Sequence, residues 1–427
     1  MFVSEFIKNI ENGGFDSSLK ALYPAKDIAE RRARIIGLAS DFRELYGEQE
    51  VVLFSVPGRT ELSGNHTDHN NGKVLAASVD IDIIAIAAKL SGDVVRMKSV
   101  GYREDVVDIS APNSETVRKG SSSAIIAGIV DYFRKNGYNA GGFAAYTTSE
   151  VMTGSGLSSS AAFEVMCARI LSEFYNNGSV PAMELAKAGK YAENEFFGKP
   201  CGLMDQAACA SGGCLWMDFE DSADPKTEKI DFDLGKQGYS LCIVNTGGNH
   251  ADLTDDYASV PSEMRSVATL MGKHALRSCD EEDFMGRISY IRSNVGDRAV
   301  MRAMHFFAEN KRVDLQKKAL LDGDLKAYLA LVTESGNSSF KFLQNVYTNK
   351  NVSEQGLSLA LAVTERFGAV CRVHGGGFAG TIQAYIPVER VGSYKCAIES
   401  VFGEGSCQTY LIRPFGASAV YEDQIKG

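Results

Sequence analysis

Two apolar runs flank one strongly polar segment, and this arrangement restricts the possible fold more than any other feature of the sequence. The first run is VVLFSV (51–56), and the second covers residues 79–90. Short apolar runs bounded by Pro, Gly and polar residues are typical of strands. The segment between them, GRTELSGNHTDHNNGKVL (58–75), is rich in short carboxylate, imidazole and amide side chains. We therefore predict two strands joined by a loop that either holds a ligand or is a merely polar surface loop.

The remainder of the chain mixes strands and helices without a regular βαβ alternation. Apolar residues recur at helical spacing from Phe163 to Phe174, and a helical stretch is predicted over about 258–345. Residues 215–234 alternate around a polar turn and predict a hairpin. Asp80 and Asp82 alternate with apolar residues, which predicts a strand with one wetter face. This mixture predicts an α+β fold.

Chain length predicts two domains. A chain of 427 residues exceeds one ordinary hydrophobic core, and the hairpin offers a natural boundary. We place the domains at residues 1–235 and 236–427.

Charge and composition exclude several functional classes. The net charge of −10 argues against binding of nucleic acid or of an anionic membrane surface. No apolar run approaches the ~20 residues of a membrane span, and the first residues do not resemble a signal peptide. The nine cysteines are odd in number and include no C-x-x-C pair, so free thiols in a reducing compartment are expected. We therefore predict a cytoplasmic protein.

A glycine-serine segment gives the clearest signal for phosphate. GSGLSSSAAFEV (154–165) leads into a predicted helix, whose first N–H groups and positive dipole end attract anions. The segment is neither a Walker A loop nor a Rossmann fingerprint. Serines also cap helices without binding a ligand, so helix capping is the alternative.

Three further patterns contain candidate functional residues. Asp205 lies among small and apolar residues, where a carboxylate is costly unless it is paired or used. The cluster HGGGFAG (374–380) is either a ligand loop or a tight turn. His66, Asp68 and His69 share one loop, but a second cluster of zinc ligands is lacking. These side chains suit the hydroxyls of a sugar better than a metal.

Taken together and in this order, the motifs resemble those of the GHMP kinases and, within them, the galactokinases. The resemblance rests on GRTELSGNHTDHNNGKVL, on MTGSGLSSSAA, on AENEFFGKPCGLMDQ, on NTGGNHADLTDDY and on GGGFAG. It covers roughly residues 50–390. It implies an S5-like N-terminal domain, a ferredoxin-like C-terminal domain with a helical insertion, and an active site between them.

The resemblance also implies a function and a role for each matching residue. The expected activity is an ATP- and Mg²⁺-dependent phosphorylation of the anomeric hydroxyl of a sugar, with galactose as the default substrate. Asp205 and Arg59 would be catalytic, and Ser160 and Glu193 would bind Mg²⁺. The sugar would contact Asn65, His66, Asp68, Gly202 and Tyr257. The nucleotide phosphates would contact Gly154, Ser155, Gly156, Leu157, Ser158, Ser159 and Ser160.

Departures from the family motifs concern the sugar rather than the phosphate chemistry. Asn65 stands where the galactokinase motif has glutamate, and Glu61 stands where asparagine is usual. The other departures are Ser63, His69, Met152 and Ala379. Galacturonate or arabinose therefore remain alternative substrates. A sugar- and ATP-binding sensor without catalysis is the alternative from another class.

Overall fold

Strands and helices are mixed along the whole chain, of which the computed structural model describes residues 1–151, 156–248 and 253–427. The strands are β1 (Val52–Ser63), β2 (Lys73–Lys89), β3 (Val94–Ser99), β4 (Asp105–Asp108), β5 (Phe143–Ser149), β6 (Cys214–Asp218), β7 (Lys226–Ile230), β8 (Tyr239–Asn245), β9 (Val370–Val373), β10 (Thr381–Pro387), β11 (Cys407–Tyr410), β12 (Ser418–Val420) and β13 (Ile425–Lys426). The helices are α1 (Val3–Glu11), α2 (Asp16–Leu22), α3 (Ile28–Tyr46), α4 (Ser122–Lys135), α5 (Ser159–Tyr175), α6 (Ala182–Tyr191), α7 (Met204–Ser211), α8 (Thr254–Leu270), α9 (Glu281–Gly286), α10 (Ile288–Val295), α11 (Asp297–Leu321), α12 (Leu325–Ser338), α13 (Gly356–Arg366) and α14 (Val391–Phe402). π-Helical turns follow α6 at Ala192–Phe197 and α12 at Ser339–Leu343.

Two sheets organise the molecule. Within the described residues, the larger sheet has nine strands and the smaller has four. Seven strands of the larger sheet lie in the order β13-β12-β1-β2-β5-β3-β4, and the hairpin β6–β7 extends from β2. The smaller sheet has the antiparallel order β11-β8-β10-β9. This arrangement confirms the predicted α+β class. The smaller sheet begins just after residue 235, but β12 returns to the larger sheet, so the domain division stays a prediction.

The helices follow the predicted pattern closely. Helix α5 covers the predicted run from Phe163 to Phe174, and α6 with its π-helical turn ends at Phe197. Helices α8 to α12 form the helical insertion between β8 and β9. In the part of the chain that the structure describes, no helix is both long and apolar enough to cross a membrane.

Strand β1 extends further into the polar segment than the sequence predicted. It continues to Ser63, and β2 begins at Lys73, so the connecting loop is shorter than expected. Arg59 and Glu61 therefore lie on a strand, where they pair in register with Ser78 and Ala76 of β2. Their polar side chains are buried because charged partners from distant segments accompany them into the interior.

The prediction of a wetter face at Asp80 and Asp82 is wrong. Both residues are buried, at 2% and 0% exposure. Asp82 is 2.7 Å from Arg34 and 3.0 Å from Arg413, and Asp80 is 3.3 Å from Lys26. Burial alone would raise the pKa of Asp82, but the two arginines lower it to about 2. Alternation in the sequence could not show that α3 and the C-terminal segment supply these cations.

Candidate active site

A polar cavity of about 230 Å³ brings together residues from most of the sequence motifs. We call it the polar cavity, and its lining combines β1, the β1–β2 loop, the start of α5, the segment before α7 and the glycine cluster that follows β9. The lining residues are Arg59, Glu61, His66, Asp68, His69, Ser160, Ala161, Glu193, Lys199, Pro200, Cys201, Gly202, Met204, Asp205, Gln206, Gly375 and Gly376.

Arg59 and Asp205 form a bidentate ion pair in this cavity. Arg59 Nε donates to Asp205 Oδ1 and Nη2 donates to Oδ2, both at 2.6 Å. Arg59 Nη1 also donates to the carbonyl of Gly156, and the Ser158 hydroxyl donates to Asp205 Oδ2. The pair thus joins β1, α7 and the glycine-serine segment at one point.

The ion pair makes Asp205 a weak base. Burial raises the pKa of Asp205, but the charge and hydrogen bonds of Arg59, with the Ser158 hydroxyl, lower the pKa below its ordinary value. A cation beside a carboxylate favours the charged form and so lowers the pKa in this way. The carboxylate is therefore suited to accept a hydrogen bond and to take a proton only when the donor oxygen becomes more acidic.

The glycine-serine segment bends sharply at this point. Ser158 has left-handed backbone angles, with φ 59° and ψ 63°, which are unfavourable for a residue other than glycine. Gly156 also has a positive φ, and a side chain there would contact His374 and Thr381. Leu157 is buried, and its carbonyl accepts from the Arg59 backbone N–H at 3.1 Å. The predicted phosphate-binding residues Gly154 and Ser155, and the departure Met152, lie outside the described residues.

His66 presents an unused acceptor. Its Nε2 lies 3.0 Å from the carbonyl of Gly376, so Nε2 carries the proton and donates. Burial and the neighbouring His69 lower the pKa of His66 to about 4, so the ring is neutral at pH 7. Within the described residues, its buried Nδ1 has no hydrogen-bond partner. Nδ1 is therefore available to accept from a ligand hydroxyl.

Asp68 lies against Gly202 on the same wall. A Cβ atom at Gly202 would lie 2.5 Å from Asp68 Oδ2, so only glycine leaves room for this carboxylate. Asp68 Oδ1 accepts from the His69 backbone N–H at 2.9 Å. This contact fixes the carboxylate and leaves Oδ2 at the side of the cavity that Gly202 lines.

A second, more apolar cavity adjoins the polar one. It measures about 520 Å³, and we call it the apolar cavity. Its apolar and aromatic lining residues are Ile83, Val100, Tyr102, Ile125, Val151, Phe163 and Phe197, and its polar ones include Arg103, Glu104, Asp105, Ser159 and Glu164. Ser160 and Glu193 line both cavities. These two residues therefore mark the place where ligands in the two cavities would meet, at the N-terminus of α5.

Two polar contacts at this junction were missed by the sequence analysis. Lys199 Nζ lies 3.1 Å from Glu193 Oε1. Gln206 Nε2 donates to Glu164 at 2.9 Å and to Glu193 at 3.2 Å. Burial and the nearby Glu193 raise the pKa of Glu164 well above its ordinary value. Lys199 and Gln206 both lie in the quoted stretch AENEFFGKPCGLMDQ, so attention to every polar residue there could have found them.

Two predicted sugar contacts lie elsewhere. Asn65 is fully buried and is not among the described residues that line the polar cavity. Its amide donates to Glu61 at 3.0 Å and to the Gly375 carbonyl at 2.7 Å, and it accepts from Asn345 at 2.8 Å. The Tyr257 hydroxyl donates to the Gly377 carbonyl at 2.9 Å, behind the glycine cluster. Both side chains thus contact the backbone of the glycine cluster, and neither is among the described residues that line the polar cavity.

Comparison with known proteins identifies the family. Residues 124–213 match the model of the GHMP kinases N terminal domain, and residues 40–89 match the galactokinase galactose-binding signature. The galactokinase of Streptomyces coelicolor is 29% identical over 84% of this chain and 91% of its own length. That of Lactococcus lactis subsp. lactis (strain IL1403) is 27% identical over 93% and 99%.

Comparison with solved structures gives the same family as the sequence matches. The Lactococcus lactis galactokinase complexed with galactose superposes with a TM-score of 0.76 at 25% identity, covering 90% of this chain and 99% of that one. The mevalonate kinase of Methanococcus jannaschii has the same fold, with a TM-score of 0.58 at 15% identity over 86% and 99%. The fold, the paired cavities and these matches define the chain as a GHMP kinase. Within that class it belongs to the galactokinases, which are ATP-dependent sugar kinases.

Proposed function

We propose that this protein transfers the γ-phosphoryl group of ATP to the anomeric hydroxyl of galactose, giving galactose 1-phosphate and ADP. The observation that carries the proposal is the position of Asp205 and Arg59 in a polar cavity that meets the apolar cavity at Ser160 and Glu193. Phosphoryl transfer requires such an arrangement, because acceptor and nucleotide must meet in line.

The sugar occupies the polar cavity in this proposal. His66 Nδ1 accepts from one ring hydroxyl, and Asp68 accepts from another beside Gly202. Asn65 and Tyr257 support the site by holding Gly375 and Gly377 in place. This assignment gives Asn65 a positioning role in place of the expected contact with the sugar.

Asp205 orients the attacking hydroxyl. Asp205 Oδ2 already accepts from Arg59 and Ser158, whereas among the described contacts Oδ1 accepts only from Arg59 Nε, which leaves it one lone pair. The anomeric hydroxyl donates to this lone pair. Because the pKa of Asp205 is lowered, the proton moves to the carboxylate late, after the bond to phosphorus has begun to form.

The phosphoryl group is stabilised by positive groups around the junction. In the contacts between described residues, Arg59 uses three of its five N–H donors on Asp205 and Gly156, so two remain for phosphoryl oxygens. Gly156, Ser158, Ser159 and Ser160 lead into α5, whose first N–H groups attract phosphate. The apolar cavity holds the adenine base. In a largely dissociative transition state, such positioning and charge neutralisation supply most of the catalysis.

Mg²⁺ fits the junction. Glu193 is a buried carboxylate, 4% exposed, that lines both cavities together with the Ser160 hydroxyl. Carboxylate and hydroxyl oxygens with phosphate oxygens are ligands that Mg²⁺ prefers. Glu193 and Ser160 would hold the ion, which neutralises phosphate charge when bound. In the structure, Lys199 forms an ion pair with the Glu193 carboxylate.

A kinase assay separates the proposed enzyme from a sensor. We expect purified protein with ATP, Mg²⁺ and galactose to release ADP, measured in a coupled assay with Asp205→Ala protein as the blank. The panel adds galacturonate, arabinose and N-acetylgalactosamine. If calorimetry detects sugar and ATP binding but no sugar raises ADP release above the blank, the protein is a sensor and the proposed reaction is wrong.

Gly202→Ala tests the proposed sugar contact of Asp68. The added methyl would overlap Asp68 Oδ2 and displace the carboxylate. We expect the KM for galactose to rise by about tenfold, the cost of one lost charge-assisted hydrogen bond, with little change in the KM for ATP. Gly37→Ala is the control, because a Cβ there contacts nothing within 4 Å. Equal effects on both KM values would argue against this contact.

A further inference from the structure

Glu61 is a cavity carboxylate to which neither the motif pattern nor the proposed mechanism assigns a role. It is 4% exposed and lines the polar cavity. Its Oε1 accepts from Arg372 Nη2 at 2.6 Å and from Asn65 Nδ2 at 3.0 Å. Arg372 Nη1 also donates to the Glu61 backbone carbonyl at 3.1 Å. Among the described contacts none involves Oε2, so one carboxylate oxygen remains available to a ligand.

The strand fixes where this oxygen lies along the cavity. Arg59 and Glu61 are two residues apart on β1, so their side chains share one face and are separated by about 6.8 Å along the strand. Arg59 marks the reacting end through its pair with Asp205. Glu61 therefore lies toward the opposite end of a bound sugar ring, near His66 and the carbonyl of Gly376 that His66 contacts.

The side chains of Asn65 and Glu61 are hydrogen-bonded to each other. This contact shows how the departures from the family motif at these two positions compensate for one another. The motif places asparagine first and glutamate second, whereas this chain has Glu61 and Asn65. The amide at residue 65 donates to the carboxylate at residue 61. The site thus keeps one carboxylate and one amide, but the carboxylate now belongs to β1 and is held by Arg372 of β9.

We propose that Glu61 accepts a hydrogen bond from the sugar at the end of the ring remote from the anomeric carbon, and that it selects a C6 hydroxymethyl group over a C6 carboxylate. This inference rests on the proposed function. A second carboxylate near Glu61 Oε2 would be repelled, because Arg372 is already engaged by Glu61. Among the described lining residues, the cations Arg59 and Lys199 pair with Asp205 and Glu193 at the reacting end. They leave a C6 carboxylate without an arginine or lysine partner among the described lining residues.

The test compares kcat/KM for galactose, 6-deoxygalactose and galacturonate in wild-type and Glu61→Gln protein at pH 8. Burial raises the pKa of Glu61, so an alkaline pH favours its ionised form. We expect the wild type to prefer galactose to both other sugars. We expect Glu61→Gln to lower the preference for galactose over galacturonate by about tenfold or more, since it removes the repelling charge.

Two further variants keep the test decisive. Glu61→Gln leaves the buried Arg372 without its ionic partner and could unfold the protein, so the double variant Glu61→Gln/Arg372→Met removes both charges. It should show the same loss of preference. Glu173→Gln is the matched control: the Glu173 side chain lies 3.0 Å from Arg169 and does not line the described cavity. It should leave the ratio unchanged.

The outcomes distinguish this inference from the proposed reaction. If the wild type phosphorylates galactose but the sugar ratios of the folded Glu61 variants equal those of the wild type, the role of Glu61 is wrong and the kinase remains. A wild-type preference for galacturonate would also overturn it and would point to His69 as the carboxylate partner. If no sugar yields ADP, the proposed function itself has failed.

Discussion

Asp205→Asn is expected to lower kcat by about 10²–10⁴-fold, the range for a positioned acid–base group, while ATP and galactose still bind. The amide keeps the shape of the carboxylate, but it cannot hold Arg59 in a bidentate ion pair or take a proton from the anomeric hydroxyl. The measurement is steady-state ADP release together with calorimetric dissociation constants for both ligands. A loss confined to kcat would support Asp205 as a catalytic residue.

A matched variant controls for the loss of a partly buried ion pair. Asp218 is 6% exposed and lies 2.9 Å from Arg277, away from the described lining of both cavities. Asp218→Asn should lower the thermal midpoint without an effect on kcat beyond about twofold. Turnover of Asp205→Asn equal to that of this control would remove Asp205 from the mechanism.

Local sequence patterns predicted much of the fold. Helical spacing located α5, and alternation located the β6–β7 hairpin. Each of these depends on residues close together in the chain, which is where periodicity carries information. The resemblance to the galactokinases added the arrangement of the elements, and the family, the fold class and the kinase activity are confirmed by the comparisons.

The candidate site was predictable in part. Arg59, His66, Asp68, Ser160, Glu193, Gly202 and Asp205 were all named from motifs, and the structure brings them to one cavity. Their chemical roles stay predictions. The individual motifs alone left zinc, helix capping or a surface loop open, because none of them reveals its distant partners.

Long-range partners explain what the sequence could not show. Glu61 was treated as a departure of unknown consequence, and its burial depends on Arg372, which is 311 residues away. Asp82 depends on Arg34 and Arg413 in the same way. A buried charge is tolerated only with its partner, so its location cannot be derived from the residues beside it.

Glu193→Gln is expected to raise the Mg²⁺ concentration for half-maximal activity by about 10–100-fold, with smaller loss of activity at saturating Mg²⁺. Glu193 is the described carboxylate that lines both cavities, so the neutral amide would weaken the ion's attachment where ATP and sugar meet. Titration of activity with Mg²⁺ at fixed ATP is the measurement. Glu173→Gln is the matched control, since the Glu173 side chain is only 8% exposed and has a cationic partner, Arg169 at 3.0 Å, but does not line either described cavity. An unchanged Mg²⁺ requirement in folded Glu193→Gln protein would mean that phosphate oxygens and Ser160 bind the ion without Glu193. Glu193 would then act only as the ion-pair partner of Lys199.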